Sequence, residues 1–202
     1  IYINMGCLVK AVVGNGCCSA LINNRNLAVE IIKATQEGAA GRVPVSVKTR
    51  LGVRETDFTW HELLLSQNLN MLTVHGRTVK QLSGPAADWQ AIAHVRELRD
   101  RLAPQTLIVG NGDVETHRQG LAFAQQHKLD GIMIGRGVFH DPFVFAKNSQ
   151  WASCSKQQKM ALYAQHIELF AQTWGKQVRH IAPLNKFCKI YINNFDGAKE
   201  LR

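Results

Sequence analysis

"MLTVHGRT", residues 71–78, is a β-prone run that stops on a histidine and an arginine. Its continuous apolarity, with β-branched Thr73 and Val74, suits a strand buried on both faces, as in a parallel sheet. Four runs of the same build lie on either side of it: "IYIN" (1–4), "VPVSVK" (43–48), "TLIVGN" (106–111) and "GIMIG" (131–135). The stretches between them have apolar residues at helical spacing. They predict helices over 26–38, with Asn24 or Asn26 as the cap, and over 59–67, 88–102 and 115–127. Strand and helix alternating in this way means βα units, hence an α/β sheet or barrel.

Each run delivers polar groups where it ends. These are Asn4 and Cys7, then Lys48 and Arg50, then His75 and Arg77, then Asn111, Gly112 and Asp113, and last Gly135 and Arg136. Taken singly, a polar residue after a strand is a turn or cap residue. Five sets in register point to a site, because in a (β/α)8 barrel the C-terminal strand ends converge on one face. In a barrel ending at its eighth strand, "GNGDV" (110–114) and "GRG" (135–137) would follow strands 7 and 8. That is the usual barrel phosphate site, built from bare backbone N–H groups, and Arg136 can add a bidentate contact.

Composition sets the outer bounds. The 202 residues are 46% hydrophobic and 19% charged, as in an ordinary globular protein, with a formal net charge of +9 and a pI near 9.6. A surface this basic draws polyanions, nucleic acid first among them. No apolar run approaches the ~18–20 residues of a membrane span. The opening residues lack a basic leader and a small-residue cleavage site. The five cysteines include no C-x-x-C pair, so neither a disulfide framework nor a zinc site is expected, and the cytoplasm is the expected compartment. Ile1 already lies inside a strand-like run, which predicts a segment of a longer protein. Beyond about residue 150 the texture becomes helical. Residues 156–175 form one pattern that ends on Gly175 as C-cap, and Pro183 opens the next. The expected division is a barrel portion over 1–150 and a helical domain over 151–202.

The segments "NMGC" (4–7), "PVSVKTRLG" (44–52), "LTVHGRT" (72–78), "VGNGD" (109–113), "IGRG" (134–137) and "KIYINNFDGAKELR" (189–202) carry a family resemblance in their order and separation. The chain resembles the tRNA-dihydrouridine synthases, flavin enzymes that reduce selected uridines of tRNA. The resemblance implies an α/β fold, an FMN-binding (β/α)8 TIM barrel with strands 4–8 present and strands 1–3 missing. Part of an all-helical tRNA-binding domain would follow. It makes Cys7 the catalytic acid and Asn4 the group that orients the base. Lys48 would contact the flavin ring and His75 the flavin or its phosphate, while Asn111, Gly112, Asp113, Gly135 and Arg136 would hold the ribityl phosphate. Arg50 and Arg77 belong to the matching motifs without an assigned role. Arg179, His180, Lys186, Lys189 and Lys199 would meet tRNA phosphates, with Tyr191 or Phe195 against bases or core. FMN, with NADPH or NADH as reductant, and tRNA are the implied cofactors and partner, for a monomer without metal or membrane. Two departures stand out. Leu8 occupies a position where the family usually has Pro, which implies a less rigid Cys loop. Cys17 and Cys18 stand in a stretch usually rich in Gly and Ala and read as small packing residues. Two rival assignments are an FMN-dependent barrel oxidoreductase acting on a small molecule, and an inactive RNA-binding fragment.

Overall fold

Five short strands form one sheet: β1 (Tyr2–Asn4), β2 (Ser46–Arg50), β3 (Met71–His75), β4 (Leu107–Asn111) and β5 (Gly131–Met133). The computed structural model describes residues 1–202, the side chains of 176 and 177 excepted. Neighbouring strands are all parallel and the sheet order is the chain order, β1-β2-β3-β4-β5. An unreversed order of right-handed crossovers puts every connecting helix on the same face, as in a barrel wall. The helices are α2 (Arg25–Ala39), α3 (Phe58–Leu65), α4 (Trp89–Leu102) and α5 (His117–His127), preceded by the short α1 (Lys10–Gly14).

Helix starts follow the expected chemistry. The side chain of Asn24 accepts from the Leu27 N–H, so Asn24 rather than Asn26 caps α2. Asp57 and Asp88 do the same for α3 and α4, each such cap contributing about 1 kcal/mol. The buried face of α2 carries Ala28 and Ile32, that of α3 Trp60, Leu64 and Leu65, and that of α4 Ile92 and Val95. These join Val47, Leu72, Val74 and Ile108 of the sheet in one apolar core. Two close approaches pin this layer. Trp60 Nε1 donates to Thr49 Oγ1 at 2.9 Å, and a Cβ built on Gly110 would lie 2.5 Å from the Trp89 ring.

The central strands β2 and β3 are largely buried on both faces, as their sequences predict, but only one face of the sheet is apolar. Register pairs Ile3 with Val47, Val47 with Leu72 and Leu72 with Ile108, and this row faces the helices. The alternate row, Asn4–Lys48–Thr73–Val109, faces the other way, as does Arg50–His75–Asn111–Met133 one step further on. At the opposite strand ends that second face carries Tyr2 and Leu107, 43% and 51% exposed. Met71 and Val109 lie among its polar residues, which is why each run reads as continuously apolar.

The chain divides into two compact units, residues 1–114 with 118–135, and residues 115–117 with 136–202. The second unit contains α6 (Gly137–His140), α7 (Lys156–Val178), a 3-10 helix (Ala182–Phe187) and α8 (Cys188–Tyr191). Ser155 opens α7 with a capping box to Gln158. Gly175, at φ +66°, breaks the helical run where the sequence predicts a C-cap. Pro183 lies in the first turn of the 3-10 helix. Trp151, Tyr191, Ile192 and Ala198 form this unit's core, with Tyr163 stacked on Tyr191.

Candidate active site

The polar face of the sheet gathers most of the residues singled out in the first unit. In parallel strands, residues paired in register point to the same side, so Asn4, Lys48, Arg50, His75 and Asn111 share one face near the C-terminal strand ends. Cys7 follows β1 in the adjoining loop and is half-buried.

The backbone around Cys7 is fixed from both sides. Met5 is fully buried and its N–H donates to the Lys48 carbonyl at 2.7 Å. The Gly6 N–H donates to Asn4 Oδ1 at 3.0 Å, so the Asn4 amide oxygen shapes the turn while its NH2 group makes no bond among the described residues. The Gly6 carbonyl accepts from Arg50 Nε at 3.1 Å. Cys18, at φ +54°, lies close by, and burial, then the Cys7 and Cys17 thiols, push its thiol up. Cys17 is exposed and donates to the Asn15 carbonyl, so it is not the packing residue expected from the sequence.

On the neighbouring strands, a chain of contacts orders His75. Arg77, almost fully buried, donates to the Pro85 carbonyl and to Asp113, and its Nη1 lies 3.3 Å from His75 Nε2. A guanidinium only donates, so His75 Nε2 is the acceptor and the ring proton sits on Nδ1. Asp113, at φ +54°, also accepts from the Ala87 N–H. The preceding Gly112 has φ +132°, and a Cβ there would meet the Ala87 side chain at 2.5 Å and the His75 ring at 3.3 Å. The turn therefore requires glycine twice over, for conformation and for space. Asn111 Nδ2 donates to the Met133 carbonyl, tying the ends of β4 and β5.

The electrostatics are one-sided. Lys48, Arg50 and Arg77 stand together, and the Lys48 ammonium has no hydrogen-bond or ion-pair partner among the described residues. Burial and the neighbouring Arg50 push the Lys48 ammonium down to about 8. Burial and Arg77 push Arg50 down to about 10, so both remain charged at neutral pH. Burial, with Arg50, Lys48 and Arg77 beside it, holds His75 down to about 3, which makes it a neutral hydrogen-bond group. Such a face accepts an anion or a polar, electron-rich ring.

The remaining candidates lie elsewhere. Gly135 ends the first unit, with no atom within 4 Å of a built Cβ, so its backbone is open to approach. Arg136 begins the second unit's main segment as the N-cap of α6. Arg179, Lys186 and Lys189 are all exposed in the second unit. Arg179 lies 4.0 Å over the Trp174 ring and Lys186 4.9 Å over Phe187. Tyr191 and Phe195 belong to that unit's core, which decides between the two expectations for them. Among the described residues no three His, Cys, Asp or Glu side chains gather as a metal site, and no helix is long and apolar enough to cross a membrane. The sequence offered no signal for the threefold carbonyl contacts of Arg50, whose acceptors lie 44, 28 and 32 residues away.

The family model for dihydrouridine synthase matches residues 1–202. The chain is 41% identical over 204 residues to a probable tRNA-dihydrouridine synthase of Staphylococcus aureus (strain MRSA252), covering 100% of the chain and 61% of that protein. It is 42% identical over 203 residues to probable tRNA-dihydrouridine synthase 2 of Bacillus subtilis (strain 168), covering 99% of the chain and again 61% of the relative. A probable tRNA-dihydrouridine synthase of Staphylococcus epidermidis is 41% identical with the same coverage as the first. The chain thus spans 61% of the length of these relatives.

Proposed function

Because the chain belongs to the dihydrouridine synthase family, we propose that it is the strand-4-to-8 part of a (β/α)8 enzyme that reduces uridine in tRNA to 5,6-dihydrouridine. The observation that carries this is the single polar face on which Asn4, Lys48, His75 and Asn111 meet in register beside Cys7. The strands before β1 in the full-length protein would close the wall across the face that leaves Tyr2 and Leu107 exposed.

The face fits FMN by its chemistry: three cations beside one carboxylate, an unpartnered Lys48, and a glycine turn that a Cβ would fill. Lys48 and His75 would hold the ring, and Asn111, Gly112, Asp113, Gly135 and Arg136 the ribityl phosphate. Asp113, engaged with Arg77 and the Ala87 N–H, would serve through its turn rather than by presenting its carboxylate to a phosphate. In that position FMN, once reduced by NADPH or NADH, would supply hydride chemistry to a uracil ring.

The protein's own groups supply position and the proton. Lys48 Nζ keeps its proton at neutral pH and places positive charge beside the ring. The free Asn4 NH2 group meets a uracil carbonyl and fixes the base. Cys7 Sγ holds the proton that passes to uracil C5. The base must leave its stack to reach this face, at a cost of a few kcal/mol. Contacts from Arg179, Lys186 and Lys189 to tRNA phosphates offset that cost, in a monomeric cytoplasmic enzyme.

The test is Cys7→Ala in the full-length protein. The variant retains its flavin absorbance and loses dihydrouridine formation by about 10²–10⁴-fold, the usual contribution of a positioned acid. Undiminished product would remove Cys7 from the mechanism.

A further inference from the structure

Arg50 is a charged residue left only 6% exposed, and the proposed chemistry does not use it. It shares the face of Lys48, two residues away on β2, yet the two are held differently. The Lys48 ammonium makes no bond among the described residues, whereas the Arg50 side chain donates to three backbone carbonyls, those of Gly6 at 3.1 Å and of Thr78 and Leu82 at 3.0 Å each. No carboxylate pairs with it among the described residues. Burying a guanidinium against neutral acceptors alone is an expensive way to fill space, and an apolar side chain would pack there at lower cost. What an apolar side chain cannot do is join separate loops with directed bonds.

The loops it joins give the arrangement its meaning. Gly6 immediately precedes Cys7, and both polar atoms of Gly6 are held: its N–H by Asn4 and its carbonyl by Arg50. The Cys18 thiol reaches the Cys7 backbone and thiol, but among the described residues no backbone–backbone bond fixes the chain beyond Gly6 until the Val9 carbonyl accepts from Val12 and Val13 at the start of α1. Thr78 and Leu82 belong to the loop after β3, itself closed by reciprocal bonds between Thr78 and Gln81. We propose that Arg50 is a positioning residue that clamps the Cys7 loop to the loop after β3 and so sets where the Cys7 thiol points. Its role in turnover rests on the assignment of Cys7 as proton donor; its role in holding the loop does not.

The test uses the full-length, flavin-loaded protein with Arg50→Lys, which keeps the charge but not the fork, and Arg50→Ala as a second variant. Alkylation of Cys7 by iodoacetamide, resolved by peptide mass, accelerates by at least about threefold in Arg50→Lys as the loop loosens, with Cys154 and Cys188 as internal controls. Turnover falls by about 10–100-fold with the KM for tRNA little changed, as expected when a reacting group is misplaced while substrate binding stays intact. Added guanidinium ion restores part of the turnover of Arg50→Ala, and restores the parent rate of Cys7 alkylation, which a general loss of stability would not allow. Cys7 alkylation and turnover that both stay within about threefold of the parent in Arg50→Lys would overturn the proposal. If the parent protein makes no dihydrouridine, the reading of the function fails, while the alkylation rates still decide the role of Arg50.

Discussion

The two faces of the five-stranded sheet differ by one residue of register and by nearly everything else. On the helix side Val47, Leu72, Val74 and Ile108 are fully buried and packed into a continuous apolar core. On the other side Lys48 and Arg50, beside the neutral His75 and Asn111 and with Arg77 close by, gather positive charge that one nearby carboxylate, Asp113, does not balance. A parallel βα wall thus separates stability from chemistry by the parity of the strand position. Substitutions one residue apart should therefore fall into two classes, one that unfolds the protein and one that leaves it folded and inactive.

The largest stability effect belongs to the helix side. Trp60→Ala removes a fully buried ring and its bond to Thr49, and should cost about 3–5 kcal/mol in urea unfolding. A smaller loss would mean that α3 is not the anchor of the core.

Next come two histidines, one on each side. His61, fully buried on α3, is held down to about 4 by burial, against 6.5 when free. His75 is held down to about 3 for the same first reason. In both cases the unfolded chain binds the proton more readily. Stability is therefore fully present above pH 6.5 and falls as the pH drops toward 4, with a slope of up to about 1.4 kcal/mol per pH unit for each group. His61→Gln and His75→Gln should each flatten the acid limb of a stability–pH curve, while only the latter lowers activity. An acid limb unchanged by either substitution would contradict the burial assigned to both.

A smaller effect has the opposite sign. The Lys48 ammonium is held near 8 rather than 10.5, so Lys48→Met should raise stability at neutral pH by about 1–2 kcal/mol, allowing for partial solvent access, while abolishing product. Equal loss of stability and activity would place Lys48 among the structural residues. The smallest change is Asp88→Ala, which removes the cap of α4 and should lower stability by about 1 kcal/mol without touching turnover.

Much of this division was legible before the structure was known, and the parts that were not have physical causes. The strand and helix positions and the cap at Asn24 follow from local chemistry, which the chain carries in adjacent residues. The one-sidedness of the sheet did not show, because Met71, Val109 and Met133 lie among the polar residues of the second face and hide the period of two. The site candidates at strand ends were visible as residue types. Their partners were not, since Arg77 reaches Asp113 across 36 residues and Arg50 reaches Gly6 across 44. The same holds for Tyr191, whose aromatic character fits both base stacking and a core; only its packing with Tyr163 and His166 decides it.

The most direct measurement is the mass of tRNA after incubation with the full-length, flavin-loaded protein and NADPH. A gain of two hydrogens on a uridine is expected, lost in Cys7→Ala and retained when a residue of the helix side is conservatively changed, as in Val74→Ile. A flavin-loaded protein that leaves unmodified tRNA unchanged, or a Cys7→Ala variant that reduces uridine as fast as its parent, would contradict this expectation.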